Sequence, residues 1–134
     1  MKTYESAENY LETILMLGQH GESVRSVDIA NALGYAKPSV SVAMKNLRSK
    51  GYITVDGKGH IALTPGGISI ARSMYERHTL ISGWLTLLGV DKDTAASDAC
   101  RIEHAMSEQS FSAIRRHIET WKAKPPDGNE EGTA

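Results

Sequence analysis

The first half of the chain changes from a helical to an alternating hydrophobic period within a few residues. Two short segments, 26–33 and 37–50, carry apolar residues at helical spacing and are separated by a tight turn at Gly34. The runs YITV (52–55) and HIAL (60–63) follow, with the turn sequence DGKG between them. Two helices joined by a tight turn and followed by a β-hairpin predict a winged helix-turn-helix.

Residue types at the ends of these two helices indicate where each begins and stops. Ser26 is the expected N-cap of the first helix, and Gly34 suits the left-handed residue after it. Pro38 fits the first turn of the second helix, and Gly51 stops it. Both helices are therefore short, and the second is about thirteen residues long.

Four further helices are predicted around this pattern. Residues 6–17 carry leucines and isoleucine at helical spacing and form the first of them. Thr64 and Pro65 supply a cap and a first turn for a long helix that reaches about Leu88. Two more helices are expected at about 93–106 and 107–120, the second opened by a serine cap.

The long helix is apolar on more than one side, so it needs two packing partners. Its apolar residues are Ile68, Ala71, Met74, Leu80, Ile81, Trp84, Leu85 and Leu88. We expect these partners to be its own winged domain and a second subunit. The sequence thus predicts a mainly α fold, with a winged helix-turn-helix over 1–73 and an all-helical dimerisation domain over 74–121. Residues 122–134, rich in Pro, Gly and acidic side chains, are expected to be a disordered tail.

Composition restricts the cellular setting and the kind of partner. The net charge of −1 indicates that any surface for a polyanion must be local. One cysteine excludes an internal disulfide framework. A charged-then-apolar leader and an apolar run of membrane-spanning length are both missing from the sequence. These features predict a cytoplasmic protein with no membrane partner.

A local basic surface coincides with the helix-turn-helix. Six basic against three acidic residues give residues 22–58 a charge of +3. Basic side chains neutralise phosphates, small hydroxyls permit close approach, and a helix N-terminus offers amides to a phosphate. The residues expected at double-stranded DNA are Arg25, Ser26, Lys37, Pro38, Ser39, Ser41, Val42, Lys45, Asn46, Arg48 and Lys58. For any single lysine, a solvated surface is the alternative interpretation.

Direct reading of bases from this helix looks limited. Val42 and Pro38 offer only apolar contact, for instance to a thymine methyl group. We therefore expect specificity to rely on DNA shape and on the spacing of two half-sites in a palindromic operator bound by a homodimer.

The only cysteine stands in the stretch DACRIEHAM, three and four residues before a carboxylate and an imidazole. On a helix, Cys100, Glu103 and His104 share one face. Thiolate, carboxylate and imidazole are ligands for Fe²⁺, Co²⁺ or Zn²⁺. Three residues on one helix seldom close a coordination shell, so other segments must contribute. The alternative interpretation is that Cys100 is a small buried thiol and that the polar residues beside it are solvated surface side chains.

Four strings in combination resemble the diphtheria-toxin-repressor family over about residues 3–120. They are SAENYLETILML, KPSVSVAMKNL, YERHTLISGWLTLLGV and DACRIEHAMS. The resemblance implies a metal-dependent transcriptional repressor, in which a winged domain precedes a helical dimerisation domain and metal binds between that domain and the first helix. The chain ends before the SH3-like domain of many iron-type members, as manganese-type members do. The resemblance assigns the metal ligands to Asn9, Glu12, His78, Cys100, Glu103 and His104.

The same resemblance gives a mixed indication of the metal. Cys100 matches iron-type members, since manganese regulators carry glutamate there, whereas Glu12 matches the manganese type. Asn9 stands where manganese-type members have aspartate and iron-type members methionine. Because Mn²⁺ gains little from a thiolate, Fe²⁺ is the expected co-repressor and Mn²⁺ the second choice. Co²⁺, Ni²⁺ or Zn²⁺ are expected to bind in vitro.

Two other functional classes remain open at the level of sequence. One is a metal-independent winged-helix transcription factor, in which Cys100 is structural or senses redox state. The other is a metalloenzyme that uses a metal-bound water. The sequence shows no separate general base and no nucleophile arrangement, which disfavours an enzyme.

Overall fold

The computed structural model describes residues 3–123, and side chains over residues 7–121. These residues form six α-helices and a two-stranded antiparallel sheet, which confirms the mainly α class. In chain order the elements are α1 (Thr3–Leu17), a short 3₁₀ turn (Gly18–His20), α2 (Ser26–Leu33), α3 (Lys37–Ser49), β1 (Ile53–Val55), β2 (Ile61–Leu63), α4 (Pro65–Leu87), α5 (Lys92–Ala105) and α6 (Glu108–Ala123).

The chain divides into two compact units, with the first ending at Glu76 and the second beginning at Arg77. The helix α4 contributes residues to both units. Residues 122 and 123 are the last of α6, and the rest of the expected tail, residues 124–134, lies outside the described part. No helix among the described residues is long and apolar enough to cross a membrane.

The core of the first unit is formed by the helix-turn-helix, α1 and the hairpin. On α3 the spacing i, i+4, i+7 buries Val40, Met44 and Leu47, while Val42 on the opposite face is 59% exposed. The side chains buried against this face include Leu11, Ile14, Ile29, Ile53 and Ile61. The predicted apolar stripe of α3 is therefore confirmed, and its other face is open to solvent.

Helix α2 ends as predicted but begins differently from the prediction. Gly34 adopts the left-handed conformation with φ 70°, and its N–H donates to the carbonyl of Ala30 at 2.8 Å. The prediction that Ser26 caps α2 is wrong, because Ser26 is the first helical residue and Arg25 holds the cap position. The Arg25 N–H donates to Asp28 Oδ2 at 2.9 Å, so the carboxylate of the first turn supplies the cap.

The wing is a short hairpin with a side-chain-stabilised turn. Ile53 pairs with Leu63 and Val55 with Ile61, and an isolated bridge joins Val24 to Ile61. In the turn, Asp56 Oδ1 accepts hydrogen bonds from the backbone N–H groups of residues 58 and 60, both at 2.8 Å. These bonds stabilise the loop between the strands.

The start of α4 lies tightly against the start of the wing. Thr64 Oγ1 accepts a hydrogen bond from the Gly67 N–H at 3.2 Å, which confirms the predicted cap. A Cβ atom at Gly67 would overlap the carbonyl oxygen of Tyr52. Only glycine therefore permits this approach of helix to hairpin.

The second unit has a smaller apolar core, formed by Ile81, Ala99 and Phe111. Asp91 Oδ2 accepts from the Thr94 N–H at 3.2 Å and caps α5. Ser107 Oγ accepts from the N–H of residue 110 at 3.1 Å, so the predicted serine cap of α6 is confirmed. The long helix α4 stops at Leu87, one residue before its predicted end.

Candidate metal centre and nucleic-acid interface

A fully buried carboxylate lies at the centre of a polar cluster in the second unit. The side chain of Glu103 on α5 is 0% exposed. Taking a carboxylate out of water is costly unless cationic or hydrogen-bonding groups surround it. Its surroundings therefore decide what this cluster does chemically.

Two imidazoles lie against this carboxylate, one near each oxygen. His78 on α4 places Nδ1 3.0 Å from Glu103 Oε1. His104, the next residue on α5, places Nε2 3.2 Å from Glu103 Oε2. Their side chains are 23% and 10% exposed, so water has limited access to the group.

The cysteine completes a group of three different donor types on one face of α5. One ligand atom each from Cys100, Glu103 and His104 lie within 4.8 Å of one another. The i, i+3, i+4 spacing predicted this convergence, and the structure confirms it. Cys100 is exposed, which contradicts the alternative of a small buried thiol.

The chemistry of these donors fits a divalent transition metal. If the Nδ1–H of His78 donates to Glu103, Nε2 keeps its lone pair, the form in which imidazole ligates metals. A carboxylate and a thiolate supply the negative charge that a divalent cation requires. His78, Cys100, Glu103 and His104 are the residues of the second unit that would hold the metal.

The two remaining ligand candidates lie on α1 of the first unit. Asn9 and Glu12 are three residues apart and share a face of this helix. Glu12 is 4% exposed, and Asn9 is half-buried. Thr13 Oγ1 donates a hydrogen bond to the backbone carbonyl of Asn9 at 2.8 Å, and this bond does not involve the side-chain amide of Asn9.

Arg77 is a residue of this region that the sequence did not single out. It precedes His78 on α4 and is only 6% exposed. Its Nη1 donates to the backbone carbonyls of Glu103 at 2.8 Å and Met106 at 2.7 Å. The only available signal was the unexplained basic residue beside His78, and its partners lie 26 or more residues away in the sequence.

The DNA-binding candidates form an open surface on the first unit. Ten of the eleven are exposed and Ser26 is half-buried, so all are accessible to a large ligand. Four of them line a shallow cleft of about 180 Å³ between the start of α2, the outer face of α3 and the wing. They are Ser26, Ser41, Lys45 and Arg48. Two hydroxyls beside two cations match the chemistry of a phosphate ester.

The side chain of His60 links the wing turn to Arg25. Arg25 Nη2 lies 3.3 Å from His60 Nε2, and His60 Nδ1 lies 3.3 Å from Asp56 Oδ2. Since a guanidinium can only donate, Nε2 accepts and Nδ1 carries the proton in this arrangement. The backbone hydrogen bond from His60 is the main cause that lowers the pKa of Asp56, with the Lys58 N–H also contributing. No motif or periodicity in the sequence indicated a role for His60.

Both halves of the chain match models of one protein family. The N-terminal DNA-binding domain of the iron dependent repressors matches residues 2–61. Their metal binding and dimerisation domain matches residues 64–131. The two matches together account for nearly all of the sequence.

Curated relatives and solved structures agree with this assignment. The transcriptional regulator MntR of Escherichia coli O157:H7 is 32% identical over 120 residues, which are 90% of this chain and 77% of the relative. The diphtheria toxin repressor of Corynebacterium diphtheriae is 30% identical over 128 residues, 93% of this chain and 55% of the relative. The solved manganese regulator SloR is 26% identical with a TM-score of 0.73, over 89% of this chain and 54% of that one.

The chain spans about half the length of the last two proteins. The resemblance predicted from the four sequence strings is nevertheless confirmed over both domains. The chain therefore belongs to the iron-dependent repressor family, whose members are metal-dependent DNA-binding transcriptional repressors and not enzymes.

Proposed function

We propose that this protein is a homodimeric repressor of metal-homeostasis genes that binds a palindromic operator when loaded with Fe²⁺. The observation that carries the choice of metal is Cys100, whose thiol lies within 4.8 Å of donor atoms of Glu103 and His104. A mixed sulfur, nitrogen and oxygen set suits Fe²⁺, whereas the harder Mn²⁺ favours oxygen donors.

Mn²⁺ is the second candidate, and specific observations favour it. The relatives include MntR regulators and a structure named a manganese regulator. Glu12 supplies an oxygen donor, and Asn9 supplies a neutral amide oxygen, which is a weak ligand for either ion. Co²⁺, Ni²⁺ and Zn²⁺ are expected to bind in vitro more tightly than either, as the general affinity order of divalent ions requires.

In this proposal Asn9 and Glu12 complete the coordination shell that His78, Cys100, Glu103 and His104 begin. A cation held by these residues would supply the positive charge that compensates the carboxylates and the thiolate. Because α1 packs in the core of the winged helix-turn-helix domain through Leu11 and Ile14, ligation by Asn9 and Glu12 would restrict the motion of that domain. The conformation that binds metal more tightly would then also bind DNA more tightly. Metal binding would therefore favour DNA binding, which is the action of a co-repressor.

The DNA contacts in this proposal are made by α3, the start of α2 and the wing. Lys45 and Arg48 neutralise phosphates beside the hydroxyls of Ser26 and Ser41. Val42, 59% exposed on α3, offers an apolar contact to a base edge. The position of Lys58 at the wing turn suits contact with the adjacent backbone. We also propose a cytoplasmic location, and a division of the chain into a winged helix-turn-helix domain over residues 1–73, a helical domain over 74–121 and a tail over 122–134.

A metal-dependence series on DNA binding tests this function. A duplex would be selected from random-sequence DNA by the protein, in parallel with Fe²⁺, with Mn²⁺ and without metal. Binding would then be measured by fluorescence anisotropy under anaerobic conditions. We expect tight binding with Fe²⁺, weaker activation by Mn²⁺ at equal free concentration, and weak binding without metal. Equal affinity under all three conditions would instead favour the metal-independent regulator.

A further inference from the structure

A buried arginine connects three helices beside the candidate metal centre. Arg77 on α4 is 6% exposed, and its guanidinium donates to two carbonyls at the end of α5. Its Nη2 also donates to Glu108 Oε1, in the first turn of α6, at 3.0 Å. The guanidinium carbon lies 5.0 Å from the ring centre of Phe111. One side chain thus contacts the end of one helix and the start of the next.

The hydrogen-bond partners of the buried Arg77 guanidinium fix its position and orientation. The last carbonyls of a helix have no partner within the helix and carry partial negative charge. Arg77 donates to the carbonyls of Glu103 and Met106, which lie at this end of α5. The hydrogen bond from Arg77 is the largest cause that lowers the pKa of Glu108, so this partner is an anion at neutral pH. A planar guanidinium that makes three charge-assisted bonds has one orientation.

Apolar packing and directional hydrogen bonds both hold α5 in this unit. Among the described residues the buried cluster is Ile81, Ala99 and Phe111, and the partly buried side chains packed against it are Leu80, Leu85, Ile102 and Met106. Apolar burial is non-directional, so these contacts do not by themselves fix the orientation of the last turn of α5. Directional bonds must then supply part of the fixation, and Arg77 supplies three.

The contacts of Arg77 coincide with those of the metal-binding candidates. Arg77 and His78 are neighbours on α4, and both contact Glu103 on α5. Arg77 binds its backbone carbonyl at 2.8 Å, and His78 lies 3.0 Å from its carboxylate. A shift of the last turn of α5 would therefore displace Glu103 and His104 from His78 together.

We propose that Arg77 is a positioning residue for the metal centre, which holds the last turn of α5 so that Glu103 and His104 face His78. This inference rests on the proposed metal-binding function of that cluster. Donors that are already in place lose little conformational freedom when metal binds, so the affinity is higher than for the same donors on a mobile helix end. Arg77 itself offers no lone pair with which to ligate a metal ion.

Titration with Co²⁺ alone tests the proposal without DNA. The visible and near-ultraviolet absorption of Co²⁺ reports ligand number and thiolate ligation, while competition with a chelator gives the affinity. Arg77→Met keeps much of the volume and removes the three bonds, and Arg77→Lys keeps the charge without the planar fork. The matched control is Arg101→Met, because Arg101 also pairs with a carboxylate on α5, Asp98, but at the surface with 73% of its side chain exposed.

We expect Arg77→Met to weaken Co²⁺ binding by about 10-fold or more and to alter the spectrum, as loss of a group that orients ligands does. Arg77→Lys should fall between this variant and the wild type, and Arg101→Met should match the wild type. Circular dichroism would verify that each variant is folded. If Arg77→Met does not fold, the decision rests on Arg77→Lys.

Three results would overturn the proposal. Folded variants with wild-type affinity and spectrum would show that the donors need no help from Arg77. Equal weakening by Arg101→Met would reduce the effect to lost charge. Failure of both Arg77 variants to fold would make Arg77 a residue of the fold alone. If wild-type protein took up no Co²⁺, the proposed function itself would fail, and that result is distinct from the other three.

Discussion

Nδ1 of His78 lies 3.0 Å from Oε1 of Glu103, and the Glu103 side chain is completely buried. This pair joins α4 to α5 through an imidazole and a carboxylate. His104 approaches the other oxygen of the same carboxylate at 3.2 Å. A buried carboxyl group between two imidazoles, with a thiol close by, is a set of donors well suited to a cation.

Cys100 is expected to set the choice between iron and manganese. Cys100→Glu replaces the thiolate by an oxygen donor at an exposed position, so we expect the ratio of Fe²⁺ to Mn²⁺ affinity to fall about 10-fold or more, which corresponds to about 1.4 kcal/mol. Anaerobic competition titrations with a fluorescent chelator would measure both affinities. Cys100→Ala is the control and should weaken Fe²⁺ binding without strengthening Mn²⁺ binding. An unchanged ratio in Cys100→Glu would show that the thiol is not a ligand.

Lys45 is expected to contact a DNA phosphate. Lys45→Ala should weaken binding to all sequences to a similar extent and reduce the slope of log K against log salt by about 1. Binding measured at four or five salt concentrations would give this slope. The matched control is Lys92→Ala, an exposed lysine at the start of α5 in the other unit, which should leave the slope unchanged. A slope that is unaltered by loss of Lys45 would place the DNA elsewhere.

Glu108 is expected to make the stability of the protein depend on acid pH. Its pKa is lowered from the ordinary value of 4.5, chiefly by the hydrogen bond from Arg77. A lowered pKa in the folded state stabilises the protein above the unfolded pKa, and this stabilisation is lost as the pH falls through the folded pKa. Glu108→Gln should therefore lower the Tm at neutral pH and flatten the fall in Tm below about pH 4.5.

The appropriate control for that series is Glu119→Gln, an exposed glutamate on the same helix. Thermal unfolding of the metal-free proteins between neutral and acid pH provides the comparison. If Glu108→Gln and the wild type lose stability in parallel as the pH falls, Arg77 and Glu108 do not interact in solution.

Gly67 is expected to be intolerant of any side chain. The Cβ of Gly67→Ala would overlap the carbonyl oxygen of Tyr52, so helix and hairpin must separate at a cost of about 1–3 kcal/mol. Gly66→Ala is the matched control, since a Cβ at Gly66 meets Tyr52 and Thr64 at ordinary distances of 3.8 Å or more. Chemical denaturation of both variants measures the difference. Equal stability of the two would contradict the close approach of α4 to the wing.

Features that depend on neighbours in sequence were predictable. The stripe of Val40, Met44 and Leu47 follows from the helical period, and the convergence of Cys100 with Glu103 and His104 from i, i+3, i+4 spacing. Such patterns record which face of an element is buried. These patterns therefore predicted the helices and the hairpin of the winged helix-turn-helix, the helices that follow it, and three of the six candidate metal ligands.

Features that depend on contacts between distant segments were not predictable from one sequence. Nothing near Arg77 indicates that its partners are carbonyls 26 and 29 residues later. His60 likewise reaches Arg25 across 35 residues. The mistaken cap at Ser26 has a local cause, because the carboxylate of Asp28 competes for the same helix end. The choice of Asn9 and Glu12 as ligands depended on family resemblance and stays a prediction.

Operator binding by Glu103→Gln, with and without Fe²⁺, tests the central claim most directly. The amide keeps the shape of the side chain but lacks the negative charge that holds a cation, and interactions with a charged group contribute about 1.5–3 kcal/mol. Fluorescence anisotropy should show that Fe²⁺ tightens DNA binding by the wild type and not by the variant, while both bind weakly and equally without metal. Full activation of Glu103→Gln by Fe²⁺ would contradict the assignment of this cluster as the metal switch.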